Sequence, residues 1–366
     1  MFGSMWTKKK KNTAAQALPK GKKSHSSFLA HWFGSDIAID LGTTNIIVYV
    51  KKRGIVVDEP AVIAIDTNLH RVVAVGREAQ AMLGRTPQHI QAYHPLTHGV
   101  IADYDATEYM IHYFIDKAIG TALIFKPRVI VCVPSGITNV EKRAVIEAAM
   151  QAGARKTVIM EETLAAAIGA GLDIANSNGS MVVDIGGGTT DVAVLSLSGI
   201  VISESLRVGG SSFDEAIISY LERYKHITIG RHTAEELKKL IGTVLPDGRQ
   251  LTADVRGRST ETGLPAMVDI DSREIRDALQ EPLEAILNLI VKVLEKAPPE
   301  LVDNISDHGI ILSGGGLLLD GMEQLISRRT GIAAYLCDEP LYCVVNGAGK
   351  SLREMDRLKD SFIDLK

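Results

Sequence analysis

The sequence predicts an α/β protein made of two similar halves, each built around a mixed sheet. A duplicated turn is the first reason. Asp40-Leu41-Gly42-Thr43-Thr44-Asn45 runs into the apolar stretch 46–50, and Asp184-Ile185-Gly186-Gly187-Gly188-Thr189-Thr190-Asp191 runs into 192–195. Each turn also follows a short apolar strand, 37–39 in one case and 181–183 in the other. The second reason is the alternation of strand-like and helix-like periodicity along 366 residues, enough chain for two domains of ordinary size. A third is the glycine run Ser313-Gly314-Gly315-Gly316, which closes another buried strand in the second half.

Before these halves lies a different kind of segment. Residues 1–35 carry seven lysines and no acidic residue or arginine, so a chain of net charge −4 divides into a +7 tail and a −11 body. No apolar run reaches the length of a transmembrane helix. The stretch Ser26-Ser27-Phe28-Leu29-Ala30-His31-Trp32-Phe33 is too short and polar for a secretory h-region. Cys132, Cys337 and Cys343 show no C-x-x-C spacing, which favours a reducing, cytoplasmic setting over a disulfide framework.

In order along the body, strands are expected at 37–40, 46–50, 55–57, 61–65 and 72–75. They read as a meander with polar turns such as Asp66-Thr67-Asn68. Residues 107–118 place Met110, Ile111, Phe114, Ile115 and Ala118 on one helical face. A buried strand at 128–133 stops at Pro134-Ser135-Gly136. A helix follows at 140–152, then a strand at 158–160 and a helix at 163–170 with Glu161 and Glu162 near its N-terminal end. The second half repeats the plan with strands at 181–184, 192–195 and 200–203 and a helix at 213–223. Residues 226–278 read as an inserted lobe, helical near 233–241 and otherwise polar and poor in strands to about 270. One or two amphipathic helices cover 273–296, and a strand at 309–312 meets the third glycine run. The expected division is a tail 1–35, a first domain 36–178 with a small lobe at 64–106, a second domain 179–350 with a small lobe at 224–272, and an end segment 351–366.

Glycines remove the Cβ atoms that keep anions away from backbone N–H groups, and threonine hydroxyls add donors. Gly42, Thr43 and Thr44, with Gly186, Gly187 and Gly188, therefore suit phosphate oxygens. One such turn is equally what a tight hairpin needs; two with the same Asp-x-Gly opening favour a nucleotide held between the halves. Asp40 and Asp184 sit at the same offset and suit Mg²⁺ held through water, although each also suits a simple turn cap. Gly314, Gly315 and Gly316 offer bare backbone to a flat base or ribose, or a plain strand-to-helix turn. Glu141 opens a helix after the Pro134 turn. It is placed either to orient water toward a terminal phosphate or to complement the helix dipole, an interaction of ~0.3–1 kcal/mol.

The motifs in combination resemble the MreB family of bacterial actin homologues over about residues 36–350. They are the two Asp-x-Gly turns, Val-Pro-Ser-Gly-Ile-Thr-Asn-Val-Glu-Lys-Arg-Ala (133–144), Glu-Glu-Thr-Leu-Ala-Ala-Ala-Ile-Gly-Ala-Gly (161–171) and Ser-Gly-Gly-Gly. The resemblance implies an actin-like fold of two RNase-H-like domains flanking a cleft for ATP and Mg²⁺. It also implies filaments of the protein itself at the inner face of the cell membrane, organising cell-wall synthesis and cell shape with the elongation machinery, and no nucleic-acid partner. By position, Gly314–Gly316 and Leu317 match the family's adenosine loop. Glu235, Glu236, Leu237 and Lys238 lie over its nucleoside-contacting Glu-x-x-Lys, and Glu141 matches its water-positioning residue. Thr44, Asp191, Thr163-Leu164 and Ser211-Ser212-Phe213 depart from the usual family residues, and the first two look more like chaperone relatives.

Two segments suit a membrane. Lysines 8–11, 20, 22 and 23 precede Phe28, Leu29, Trp32 and Phe33, whose spacing makes one helical stripe beside a basic cluster. A solvated extension is the alternative. Leu123-Ile124-Phe125 places Ile124 and Phe125 in a loop where family members insert into membrane, and core packing competes with that reading. Two rivals share the fold. A small-molecule kinase would need a carboxylate base for a substrate hydroxyl. A chaperone-type ATPase would be expected to continue into a peptide-binding domain after about Gly347.

Overall fold

The computed structural model describes residues 36–120, 126–353 and 355. The chain enters as an antiparallel meander, β1 (Ile37–Leu41), β2 (Asn45–Val50) and β3 (Gly54–Pro60). It then leaves for a smaller sheet of β4 (Ile63–Asp66), β5 (Arg71–Val75) and β6 (Ile90–Tyr93), followed by the short hairpin β7 (Leu96–Thr97) and β8 (Val100–Ile101). The expected single meander through 72–75 is therefore two sheets. Its polar turn is where it was expected: Asp66 Oδ1 accepts from the N–H groups of Asn68 and Leu69, both at 3.0 Å. After the helix Tyr104–Ile119 the chain returns as β9 (Arg128–Val133) and β10 (Lys156–Glu161), parallel to β1, giving the order β10-β9-β1-β2-β3.

The second half repeats this arrangement. β11 (Ser180–Ile185), β12 (Thr190–Ser196) and β13 (Gly199–Leu206) form the meander. Its inserted lobe carries β14 (Ile227–Thr228), β15 (Thr252–Ser259) and β16 (Pro265–Asp271). The parallel strands β17 (Ile310–Ser313) and β18 (Ala334–Leu336) complete the order β13-β12-β11-β17-β18. In both halves the third strand of five, β1 or β11, ends in the Asp-x-Gly turn.

The inserted lobe is not strand-poor. β15 and β16 pair over seven positions, yet only Val255 and Ile270 among them are buried. One face of an antiparallel ribbon is solvated here, so its sequence reads as polar. Helices at Pro299–His308, Met322–Thr330 and Cys343–Ser351 likewise go beyond the elements expected from periodicity. The long amphipathic stretch resolves into two helices, Ser272–Ala278 and Gln280–Lys296.

Three large hydrophobic clusters organise the described residues, and a small fourth one, Val62, Ala64, Ala74 and Ala79, lies at the first half's smaller sheet. Of the large ones, one fills each half and the third joins them: Ala38, Ile130 and Met160 from the first sheet meet Val182, Ala193 and Leu195 from the second. Between them lie the helices Glu162–Gly169 and Cys343–Ser351. Their backbones touch, since a Cβ on Gly347 would lie 1.8 Å from the Ala165 carbonyl oxygen. Glycine there is what allows the helices, and with them the two sheets, to approach this closely.

Asp36 anchors the start of β1. Arg128 donates to it from Nε at 3.1 Å and Nη2 at 2.6 Å, and Lys51 Nζ lies 3.6 Å away. Burial opposes the charge on Asp36, but the hydrogen bonds and charge of Arg128, helped by Lys51, hold its carboxyl below the usual range. The tail residues Phe28, Leu29, Trp32 and Phe33 and the loop residues Ile124 and Phe125 lie outside the described residues. Among the described residues no helix is long and apolar enough to cross a membrane.

Candidate functional site

The two Asp-x-Gly turns face each other. A Cβ on Gly187 would lie 1.8 Å from Thr44 Oγ1, and one on Gly188 would lie 2.6 Å from Thr43 Oγ1. The hydroxyls of the first turn thus occupy the space that side chains on the second would need. Thr43 Oγ1 also accepts from the Gly99 N–H at 3.1 Å, tying the first turn to the loop after β7. Gly210 and Ser211 donate from their backbones to the carbonyls of Gly186 and Gly187 at 3.0 and 2.7 Å. That places the N-terminus of the helix Gly210–Tyr224, the positive end of its dipole, against the second turn.

The third glycine run lies at the same end of the sheet. Gly314 has φ of 97°, and a Cβ there would lie 2.4 Å from the Ile185 carbonyl oxygen. Its N–H donates to Pro340 O at 3.1 Å. Gly314–Gly316 therefore lie flat across the end of β11, next to the second turn. The Leu317 side chain is buried in the core, so only its backbone is available to a ligand.

Beneath the turns is a concentration of buried acid. Asp184, Asp191 and Glu162 are buried, and Asp40 is half-buried beside them. Burial first, then the Asp184 charge, pushes the Asp40 carboxyl up to about 7. Burial raises Asp184 to about 6 and Asp191 to about 7, the latter against the Ser135 N–H that it accepts. Glu162 rises well above its ordinary value by burial and by the charges of Asp191, Asp40 and Asp184. Asp184 Oδ1, Asp191 Oδ2 and Ser313 Oγ are buried without a partner. Orphaned oxygens beside carboxylates that resist ionising are a donor set for a hard divalent cation, whose charge would restore them to carboxylates. Among the described residues no three such side chains converge tightly enough to ligate an ion directly. A divalent cation there would therefore be held through its own waters, the arrangement expected of Asp40 and Asp184. Sequence alone gives no reason to place Glu162 and Asp191 in this cluster; only the fold brings them in.

Glu141 sits at the third position of the helix Asn139–Gln151 in a capping box. Its Oε2 accepts from the Thr138 N–H and hydroxyl, both at 2.7 Å. It also lines a cavity of about 70 Å³ shared with Gly136 from the first half and with Thr189, Ser205 and Arg207 from the second. The side chain therefore caps its helix through one oxygen while bordering the cleft between the halves.

The Glu235–Lys238 segment is only partly turned toward this site. Lys238 Nζ pairs with Asp214 at 2.7 Å and donates to Gly210 O at 2.9 Å, next to the second turn. Glu235 pairs with Lys239 at 2.6 Å rather than with Lys238. Leu237 points into the core and Glu236 is exposed.

Comparison with known proteins gives a consistent result. Residues 34–360 match the family described as MreB/Mbl protein. The chain is 48% identical over 329 residues to the cell shape-determining protein MreB of Escherichia coli K12, covering 88% of this chain and 95% of that one. It is 45% identical over 326 residues to the cell shape-determining protein Mbl of Bacillus subtilis, covering 89% and 98%. Its structure is similar to that of MreB5 of Spiroplasma citri bound to AMPPNP, with a TM-score of 0.84 at 34% identity over 89% of this chain and 98% of that one. The MamK double helical filament shares the fold, with a TM-score of 0.71 at 20% identity over 88% and 99%.

Proposed function

The chain belongs to the MreB/Mbl family, and we propose on that premise that it is an actin-like cytoskeletal ATPase. In this reading it binds ATP with Mg²⁺ between its halves, hydrolyses it slowly and polymerises with copies of itself. The filaments lie at the inner face of the cell membrane and organise cell-wall synthesis and cell shape with the elongation machinery. The observation that carries the reading is the pair of facing turns on equivalent central strands, with a cluster of buried carboxylates beneath them.

Gly42–Thr44 and Gly186–Gly188 hold the phosphates through backbone N–H groups and hydroxyls. Gly314–Leu317 offers its backbone to the adenosine, and Glu235 and Lys238 approach the nucleoside from the inserted lobe. Mg²⁺, held through water by Asp40 and Asp184, would neutralise charge on the terminal phosphates. Glu141 Oε2 is engaged by Thr138, so Oε1 is the oxygen left to orient a water in line with the terminal phosphate. Nucleotide-bound relatives support the cofactor. The relatives' cell-shape names, over most of the chain, weigh against the kinase and chaperone rivals.

Electron microscopy of the full chain on anionic lipid, with and without ATP and Mg²⁺, tests the whole reading. Ordered polymers that need nucleotide are expected, and a monomer that phosphorylates a sugar would overturn it. Glu141→Gln isolates the chemistry: hydrolysis should fall by about 10²–10⁴-fold, the usual contribution of a positioned acid–base group, while ATP affinity stays the same. Loss of affinity instead would make Glu141 a binding residue.

A further inference from the structure

Tyr342 joins two parts of the candidate site that lie on opposite halves of the molecule. It ends the loop 338–342, which runs from β18 to the helix Cys343–Ser351. Both ends of that loop are fixed. Before it, the Cys337 N–H donates to Leu312 O at 2.9 Å. At its close, the Tyr342 N–H donates to Glu339 O, and Tyr342 O accepts the Asn346 N–H of the helix, both at 2.8 Å.

Toward the second half, the loop holds the third glycine run. Pro340 O accepts the Gly314 N–H at 3.1 Å, and a Cβ on Gly315 would lie 2.9 Å from Leu341 Cδ2. Toward the first half, the Tyr342 hydroxyl donates to Asp58 Oδ2 at 3.0 Å, while Asp58 Oδ1 accepts from Asn45 Nδ2, also at 3.0 Å. Asn45 closes the first turn, and a Cβ on Gly42 would lie 2.7 Å from its carbonyl oxygen. A continuous path of bonds therefore runs through Gly314, Pro340, Tyr342, Asp58 and Asn45. Its centre, Tyr342 on Asp58, is half-buried, and a hydrogen bond to a carboxylate is roughly twice as strong as one between neutral groups. The same bond holds the Tyr342 hydroxyl above its ordinary range, so it keeps the proton that it donates.

We propose that Tyr342 is a positioning residue for the nucleotide: its hydrogen bond to Asp58 sets the spacing between the adenosine backbone at Gly314–Leu317 and the phosphate turn at Gly42–Thr44. The inference rests on the nucleotide reading above. It adds a residue that acts through Asp58 and the 338–342 loop rather than by contact with the ligand. ATP spans both parts, so it gains when their spacing is fixed beforehand and need not order them on binding. A ligand that meets one part alone gains nothing from the tie. Adenosine and tripolyphosphate are such ligands, one for each end.

The test measures the affinities of the full chain for ATP, adenosine and tripolyphosphate with Mg²⁺ by calorimetry. Tyr342→Phe keeps the ring and removes only the hydroxyl. ATP affinity should fall about fivefold, the lower end of ordinary coupling between sites, while both fragments stay within about twofold of the unsubstituted protein. Asp58→Ala should cost at least as much, and adding Tyr342→Phe to it should cost no more, as for two ends of one bond. Asp58→Asn keeps an acceptor oxygen for the hydroxyl and should restore most of the loss. Unchanged ATP affinity in Tyr342→Phe would overturn the proposal. Equal losses for ATP and a fragment, the mark of direct contact or general distortion, would do the same, as would additive losses in the double variant. If Tyr342→Phe fails to fold, the Asp58→Ala and Asp58→Asn pair decides by the same three affinities. Unsubstituted protein that binds no ATP defeats the nucleotide reading and this inference with it. Protein that binds ATP equally well with and without the hydroxyl defeats this inference alone.

Discussion

The two turns end equivalent strands but solve different problems. The first has one glycine and two hydroxyl-bearing threonines, and the second has three glycines in a row. They fit each other because of that difference. Thr44 and Thr43 cover Gly187 and Gly188, so the second turn could not carry side chains at these two positions without a clash. The residues that close them differ as well. Asn45 is exposed and donates to Asp58, whereas Asp191 is buried and accepts the Ser135 N–H across the cleft at 2.8 Å. Duplication of a motif here has become a fit of one turn to the other, the threonine side chains of the first over the bare backbone of the second, with an acid at the start of each.

The largest expected effect comes from filling the space between the turns. Gly187→Ala should weaken ATP binding by about 10–100-fold, the reach of a 1–3 kcal/mol overpacking penalty. Adding Thr44→Ala should recover part of that loss, as coupled neighbours do. Gly186→Ala is the control, since its Cβ would meet nothing closer than Thr189 O at 3.6 Å. Calorimetry should find it changed less than about threefold, an ordinary van der Waals contact having little to lose. Equal losses at Gly186 and Gly187 would mean that approach of the anion matters rather than the fit of turn to turn.

A second effect separates the acid on the two sides. The carboxyls of Asp40, Asp184 and Asp191 are raised in the folded chain to about 7, 6 and 7, above the ~3.9 of an unfolded aspartate. The folded protein therefore keeps protons that the unfolded chain releases. This contribution is fully present below about pH 4 and is lost as pH rises through 6 to 7. Urea midpoints of nucleotide-free protein should fall between pH 5 and pH 8, and Mg²⁺ with nucleotide should reduce the fall. Asp191→Asn keeps an acceptor for Ser135 and removes one charge. It should stabilise the nucleotide-free protein at pH 8 by about 1 kcal/mol, one unit of carboxyl shift, while weakening Mg²⁺-dependent ATP binding. Stabilisation equal at pH 5 would show that the charge is not the cause. The smallest effect belongs to the other turn: Asn45→Ala, at an exposed hydrogen bond, should alter stability by no more than about 0.5 kcal/mol.

What the bare chain reveals follows the same division. Both turns are legible because each is a local pattern: a buried strand, an acid, glycines and another strand. Glu162 is not, because its role arises only when the helix after β10 is brought to the acids of the other strands, and Asp191 meets Asp184 only in the register of the β11–β12 pair. β15 and β16 are hard to see because they bury so few side chains. The helix Cys343–Ser351 is hidden for the opposite reason. Its Gly347 and Gly349 look like helix breakers, yet backbone packing against Ala165 and the Tyr49 ring requires them.

Asp36, where the described chain begins, is clamped by Arg128 and Lys51 at the outer end of β1, four residues before Asp40. Any mechanical load on the preceding segment enters there and is shared at once with β9 and β2. Traction there would be borne by the central strand of the first sheet, the one that also positions an acid beneath the cleft.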